Sequence, residues 1–222
     1  MPPATKESLE KKKLQAEITH LEAQTRLANA NAGLTELKLD NESRAAAEAD
    51  ASEYEHRIYS FVDVVHQESV EACISTLGLW ARRDTAPITL VFNSPGGTVM
   101  HGFALFDYLR LLSAQGNEIT TIGMGRTASM GGVLMQAGDK RVFTANSYFH
   151  IHEVSAGTIG KVGEMEDDVE HSRALWERCA EILASRSTFT VTQLKRKAER
   201  REWWMNAGEA LKFGFVDEIA KS

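Results

Sequence analysis

From Glu55 onward, short apolar runs typical of strands alternate with segments that have the spacing of amphipathic helices. This alternation predicts a parallel-type sheet covered by helices, because parallel strands are joined through crossover helices. The predicted strands are residues 57–62, 88–93, 118–125, 141–144 and 147–152, and the predicted helices are residues 69–80, 101–112, 130–137, 161–185 and 192–201. Functional sites in such folds gather in the loops that follow the strands.

The first fifty-odd residues have a different pattern. Residues 6–55 contain one glycine, Gly33, and no proline, and they are rich in residues that favour helix. Their apolar seam follows alternating steps of four and three through Leu14, Ile18, Leu21, Thr25, Ala28 and Ala32. We therefore predict an N-terminal helical extension, residues 1–54, followed by an α/β domain, residues 55–222. The extension either packs on a partner as a coiled coil or remains a solvated helix.

Composition excludes several classes of protein. The chain has 222 residues, 43% of them hydrophobic, and a formal net charge of −6. This is the composition of a soluble globular protein without the basic stripe of a nucleic-acid binder. Cys73 and Cys179 are far apart, which favours buried thiols in a reducing compartment over a disulfide or a metal site. Without a signal peptide or a bilayer-length apolar run, we expect a cytoplasmic protein with no membrane partner and no cofactor.

The segment 125–132 (GRTASMGG) places Ser129 in a turn of small residues before an apolar helix. A serine there often only caps the helix. The surrounding small residues also leave room for a substrate carbonyl, and a nearby histidine would make the hydroxyl a nucleophile.

A second glycine turn, residues 91–97 (VFNSPGG), follows an apolar strand. It lacks the Gly-Lys-Ser/Thr ending of a phosphate-binding loop, so it is either a tight turn or part of an oxyanion hole. The oxyanion role fits best, with the N–H groups of Gly97 and Met130 as donors.

The spacing of the residues does not identify which histidine is the general base or which carboxylate orients it. His150 and His152 lie two apart on a strand and point to the same face, so spacing alone does not choose between them. A metal pair lacks completing ligands nearby. The acid that would orient the imidazole is among Glu153, Asp167, Asp168, Glu202 and Asp217.

At these residues the chain resembles the ClpP proteolytic subunits. The resemblance runs from about Glu55 to Ile219 and is carried by residues 93–97 (NSPGG), 128–131 (ASMG), 137–138 (AG), 146–147 (NS), 151–152 (IH) and 207–217 (AGEALKFGFVD). It implies a ClpP/crotonase-like fold with a protruding handle helix, and a peptidase domain over residues 55–222. It also implies homo-oligomeric rings and polypeptide substrates that bind as extended strands.

The resemblance assigns the site residues more narrowly. It implies Ser129 as nucleophile, His152 as base and Gly97 with Met130 as oxyanion donors. Position 150 is ordinarily apolar in the family, which argues against His150 as the base. Glu202 stands where the family has the triad aspartate.

Two further departures concern residues 153–154 and the N-terminus. Glu153-Val154 replaces a Gln-Pro pair, and the helical extension replaces the short loops that engage ATPase unfoldases. Because the extension takes the place of these loops, it argues against the usual unfoldase partnership. Extensions of this kind are similar to those of phage and prophage members that act in capsid maturation, so the resemblance leaves two partners open, an ATPase unfoldase or phage capsid proteins.

We therefore expect a serine endopeptidase that acts through an acyl-enzyme. A catalytically weak or inactive ring-forming structural subunit is one alternative, because glutamate replaces aspartate. A crotonase-like acyl-CoA enzyme is the other, because the folds are related.

Overall fold

The computed structural model describes residues 56–221 and, nearer the N-terminus, residues 15, 17–22, 24–26, 29, 31–33, 35 and 38. The chain divides into two compact units, Met1–Glu55 and His56–Ser222. Each unit is described by itself.

Residues 56–221 contain seven strands and six helices. The strands are β1 (Ile58–Phe61), β2 (Ile88–Ser94), β3 (Ile119–Ala128), β4 (Lys140–Phe143), β5 (Tyr148–Ile151), β6 (Trp203–Asn206) and β7 (Glu218–Ile219). The helices are α1 (Gln67–Ala81), α2 (Val99–Ala114), α3 (Met130–Met135), α4 (Val162–Ser185), α5 (Val191–Ala198) and α6 (Ala207–Lys212).

The sheet is mostly parallel and branches at β3. Strands β1, β2, β3, β4 and β7 pair side by side in that order, each pair parallel. Residues 120–123 of β3 pair with β4, whereas residues 126–128 pair with β5. Strand β6 then adds to β5 in antiparallel register. The mixed α/β fold with a mostly parallel sheet, predicted from the sequence, is confirmed.

Apolar spacing explains which face of each helix is buried. In α2 the buried residues recur at steps of three and four: Gly102, Leu105, Leu109 and Leu112. They pack towards the central strands, whose inward residues Leu90, Phe92 and Ile119 are fully buried. Each buried leucine or phenylalanine contributes roughly 1.5–3 kcal/mol through the hydrophobic effect. This core fixes the ends of β2 and β3, where the glycine turns and Ser129 lie.

Helix α4 is exposed to solvent in its first half and packed into the core in its second half. Residues in its second half, including Trp176, Cys179 and Leu183, are buried, whereas residues 162–171 are exposed. The exposed half carries Val162 and Met165. Only the second half of α4 therefore belongs to the core of the domain.

The described residues between 15 and 38 are helical, and all but Gly33 are exposed. Leu14 and Ala28 of the predicted seam lie outside the described residues, and the coiled coil stays a prediction. Among all the residues described, no helix combines the length and apolar character needed to cross a membrane.

Candidate active site

Ser129 lies in a sharp turn between a strand and a helix. Strand β3 ends at Ala128 and helix α3 begins at Met130, so Ser129 alone makes the change of direction. Its φ of 52° and ψ of −124° are rare for a residue with a Cβ. Its N–H donates to the carbonyl of His150 at 2.9 Å, which holds this conformation. Because the side chain makes no capping hydrogen bond to α3, the hydroxyl is left for another partner.

That partner is His152. The Nε2 of His152 lies 2.8 Å from the Oγ of Ser129, within hydrogen-bonding distance. The pairing of Ala128 with His150 sets this distance, because His152 follows two residues later, just past the end of β5 at Ile151, and points to the same face. The two residues have the geometry in which an imidazole removes a hydroxyl proton.

Glu202 reaches His152 from the neighbouring strand. The antiparallel register pairs Ile151 with Trp203, and continuing it by one residue sets His152 opposite Glu202. The Oε1 of Glu202 lies 3.9 Å from the Nδ1 of His152. This separation permits charge attraction but is too long for a hydrogen bond.

Three of the other four candidate acids have different partners. Asp217 is bound by Arg141, and Asp168 accepts a hydrogen bond from Thr158. Glu153 accepts one from the N–H of Arg200. Within residues 56–221 none of the four, Asp167 included, forms an ion pair with His152.

The N–H groups of Gly97 and Met130 flank Ser129. Gly97 ends the turn after β2 and forms a bridge with Val65, and Met130 opens α3. Both residues line one pocket with Ser129 and His152. Within residues 56–221 neither N–H donates a hydrogen bond, so both are available to a substrate oxygen.

The same pocket has apolar walls. They are formed mainly by Val99, Val133, Trp176, Cys179 and Leu183. Burial raises the pKa of the Cys179 thiol to about 12, so this cysteine stays protonated and is not a nucleophile at neutral pH. Burial also raises the pKa of Cys73, and both cysteines are free. The pocket therefore suits an apolar side chain next to a serine nucleophile.

The imidazole of His150 makes no hydrogen bond to the Ser129 hydroxyl and lies against Glu202. Its Nε2 is 2.5 Å from the Oε2 of Glu202, and its ring stacks on Trp204 with centroids 4.1 Å apart. Burial lowers the pKa of His150; Glu202 raises it, and the charges of His152 and Arg126 lower it further. Among the described residues there is no group of three or more His, Cys, Asp or Glu suited to a metal ion. Sequence reasoning missed the contact of His150 with the acid.

Gly96 packs closely against Ser129. With φ at +90°, a Cβ there would lie 2.6 Å from the Cβ of Ser129 and 2.7 Å from the carbonyl oxygen of Ala128. We expect Gly96→Ala to lower the rate of Ser129 labelling by a fluorophosphonate at least about 100-fold, because misplacing a reacting group by about 1 Å has that effect. Backbone strain should also lower the free energy of unfolding by about 1–3 kcal/mol, measured in urea.

Gly163→Ala on helix α4 is the matched control. A Cβ at Gly163 meets nothing within 4 Å, and alanine favours helix by roughly 0.5–1 kcal/mol. A Gly96→Ala variant that labels as fast as Gly163→Ala would contradict the role of this turn.

Known proteins match this chain over most of its length. The family model described as Clp protease matches residues 42–222. The ATP-dependent Clp protease proteolytic subunit 2 of Tropheryma whipplei (strain Twist) is 36% identical over 151 residues, which are 67% of this chain and 82% of that protein. The ATP-dependent Clp protease proteolytic subunits of Streptococcus pyogenes serotype M5 (strain Manfredo) and Streptococcus equi subsp. equi (strain 4047) are each 37% identical over 152 residues, covering 66% of this chain and 74% of theirs.

These matches confirm the resemblance drawn from the motifs. The family match begins at residue 42, upstream of Glu55, so it extends into the segment for which the motifs gave no resemblance. The chain belongs to the Clp protease family and is a serine-type endopeptidase.

Proposed function

We propose that Ser129, His152 and Glu202 form the catalytic triad of this peptidase, and that the N–H groups of Gly97 and Met130 form its oxyanion hole. The observation that carries this proposal is the 2.8 Å distance between Ser129 Oγ and His152 Nε2. Ser129 is also held in a strained turn, and strain of this kind is common at functional sites.

The proposed reaction has two halves. Ser129 Oγ attacks the peptide carbonyl carbon while His152 Nε2 takes the hydroxyl proton. The carbonyl oxygen becomes an oxyanion, to which the N–H groups of Gly97 and Met130 donate. The tetrahedral intermediate breaks its C–N bond, and the leaving amine takes the proton from Nε2. Water then attacks the acyl-enzyme by the same route, releasing the acid and restoring Ser129.

The apolar pocket supports a preference for an apolar side chain beside the cleaved bond. Its walls include Val99, Trp176 and Leu183, and it opens onto Ser129. Burying an apolar side chain there would hold the scissile carbonyl next to Oγ. Polypeptides are the proposed substrates.

The exposed half of α4 supports assembly into a homo-oligomeric ring. Val162, Met165 and Val169 are exposed on this half, and Ile159, just before the helix, is fully exposed. Apolar residues grouped in this way mark interaction surfaces more often than free ones.

The relatives are named ATP-dependent, yet the chain has no phosphate-binding motif of its own. We therefore propose a separate ATPase unfoldase as a partner. A role in phage capsid maturation stays a prediction based on the helical extension.

Labelling with a fluorophosphonate tests the proposed nucleophile. We expect the wild-type protein to label at one serine and Ser129→Ala to lose all labelling, because only a serine activated by a base reacts. Ser75→Ala is the matched control, since Ser75 is an exposed serine on α1. A folded wild-type oligomer that does not label would instead favour the inactive structural subunit, and binding of a CoA thioester would favour the crotonase-like alternative.

A further inference from the structure

Four side chains share one face of the ribbon formed by β5 and β6. His150 pairs with Trp204 across the two strands, and His152 and Glu202 lie two residues from them, each one residue beyond the end of its strand. Alternation along a strand brings residues two apart to the same side. Glu202 is therefore directly opposite His152 and diagonal to His150, which a long side chain can reach.

The carboxylate of Glu202 is shared unequally between the two imidazoles. Oε2 lies 2.5 Å from Nε2 of His150, whereas Oε1 lies 3.9 Å from Nδ1 of His152. The closer pair is not aligned as a hydrogen bond, and within residues 56–221 the buried Nε2 of His150 has no hydrogen-bond partner. Glu202 also makes no further ion pair in that range. A small rotation of the carboxylate would give this nitrogen its acceptor.

The side chain of His150 is enclosed by its neighbours, whereas most of the Glu202 side chain is exposed to solvent. The side chain of His150 is only 8% exposed, and its ring lies between those of Trp204 and His152, with centroids 4.1 and 5.0 Å away. The side chain of Glu202 is 66% exposed. Burial keeps the pKa of His150 below its ordinary 6.5, so the imidazole is neutral at pH 7 and has one N–H to donate.

We propose that His150 is a positioning residue for the triad. Its Nε2–H donates to Oε2 of Glu202 and thereby holds Oε1 towards Nδ1 of His152. One carboxylate accepts from both imidazoles because it has two oxygens. The inference rests on the proposed function, since it requires Glu202 to act on His152.

Two substitutions of similar size separate donation from packing. His150→Gln keeps an N–H donor near the position of Nε2, whereas His150→Met removes it. With a fluorogenic peptide, we expect His150→Met to lower kcat about 10- to 100-fold with KM unchanged, because the acid is no longer held in place. His150→Gln should keep kcat within about threefold of wild type. If His150→Met does not fold, His150→Asn takes its place, since its shorter amide does not reach Glu202.

The same substitutions in a Glu202→Ala background provide the decisive comparison. Without the carboxylate there is nothing to position, so His150→Met should change kcat by less than about threefold there. An equal loss in both backgrounds, a loss shared by His150→Gln, or a change in KM alone would overturn the proposal. Failure of the proposed function is recognised separately, because Ser129→Ala would then keep its activity.

Discussion

Ser129→Ala and His152→Ala are each expected to lower kcat by about 10⁵- to 10⁶-fold, and the double variant by no more than either alone. The physical reason is that the hydroxyl and the imidazole act as one unit across the 2.8 Å contact. Once either is missing, the other has no partner through which to act. Steady-state cleavage of a fluorogenic peptide by the purified wild-type and variant proteins measures the effect.

The residual activity of these variants is informative. Substrate binding and the proposed oxyanion donors Gly97 and Met130 remain, so the variants should still exceed the uncatalysed rate by roughly 10³- to 10⁴-fold. His171→Ala is the control for histidine loss, since His171 is an exposed residue of α4. Losses that multiply in the double variant would mean that Ser129 and His152 work independently, contrary to the proposed triad.

Asp217→Ala is expected to lower the free energy of unfolding by about 3 kcal/mol and to leave the labelling rate of folded protein unchanged. Arg141 is 4% exposed and donates to both oxygens of Asp217, at 3.1 and 2.5 Å. Removing one partner of a buried pair leaves an uncompensated charge, which costs about 3–5 kcal/mol. The lower figure applies because Asp217 is 38% exposed and water screens the pair.

Glu218→Ala is the matched control. It removes a neighbouring carboxylate paired with Lys140 at 3.0 Å, where both side chains are about half exposed, so it should cost at most about 1 kcal/mol. Urea unfolding at one fixed protein concentration measures both variants. Equal losses would contradict the role of the buried pair.

The pH dependence gives a second measurement of the same pair. Burial alone would raise the pKa of Asp217, but hydrogen bonds from the side chain and N–H of Arg141 outweigh it and hold the pKa below 3.8. The unfolded chain therefore binds the proton first as pH falls, so this stabilisation is present above pH 3.8 and is lost below it. Unfolding of Asp217→Ala should depend less steeply on pH in that range.

Long periodic segments could be predicted from sequence because their pattern is set by burial. Helix α4 was expected at residues 161–185 and is Val162–Ser185. Helix α5 was expected to run to residue 201 but ends at Ala198, since a run of charged residues hides the end of a helix. The sequence pattern of apolar runs did not predict strand β6, because its four residues become a strand only by pairing with β5.

The residues of the candidate site also divide into those that a local sequence pattern predicts and those that depend on strand pairing. Ser129, His152, Gly97 and Met130 lie in or beside turns whose composition is visible in the sequence, and the structure brings them together. Among the five acids, the family resemblance pointed to Glu202, but spacing alone left the choice open because it depends on the register between β5 and β6, which no local pattern contains. The sequence did contain one signal for the shared carboxylate. His150 and His152 are two residues apart, as are Glu202 and Trp204, so that pairing the two segments would place all four side chains on one face.

The branch in the sheet divides the proposed catalytic groups between two sets of strands. Ser129 and the oxyanion donors lie at the ends of β2 and β3, whereas His152 and Glu202 belong to the β5–β6 ribbon, joined to β3 over residues 126–128. A tilt of the ribbon about residues 126–128 would move His152 away from Ser129, while His152 and Glu202 would move together. Such a tilt would also pull on the turn of Ser129, because its N–H donates to the carbonyl of His150 in the ribbon. The proposed nucleophile, base and acid therefore depend together on the alignment of this short join.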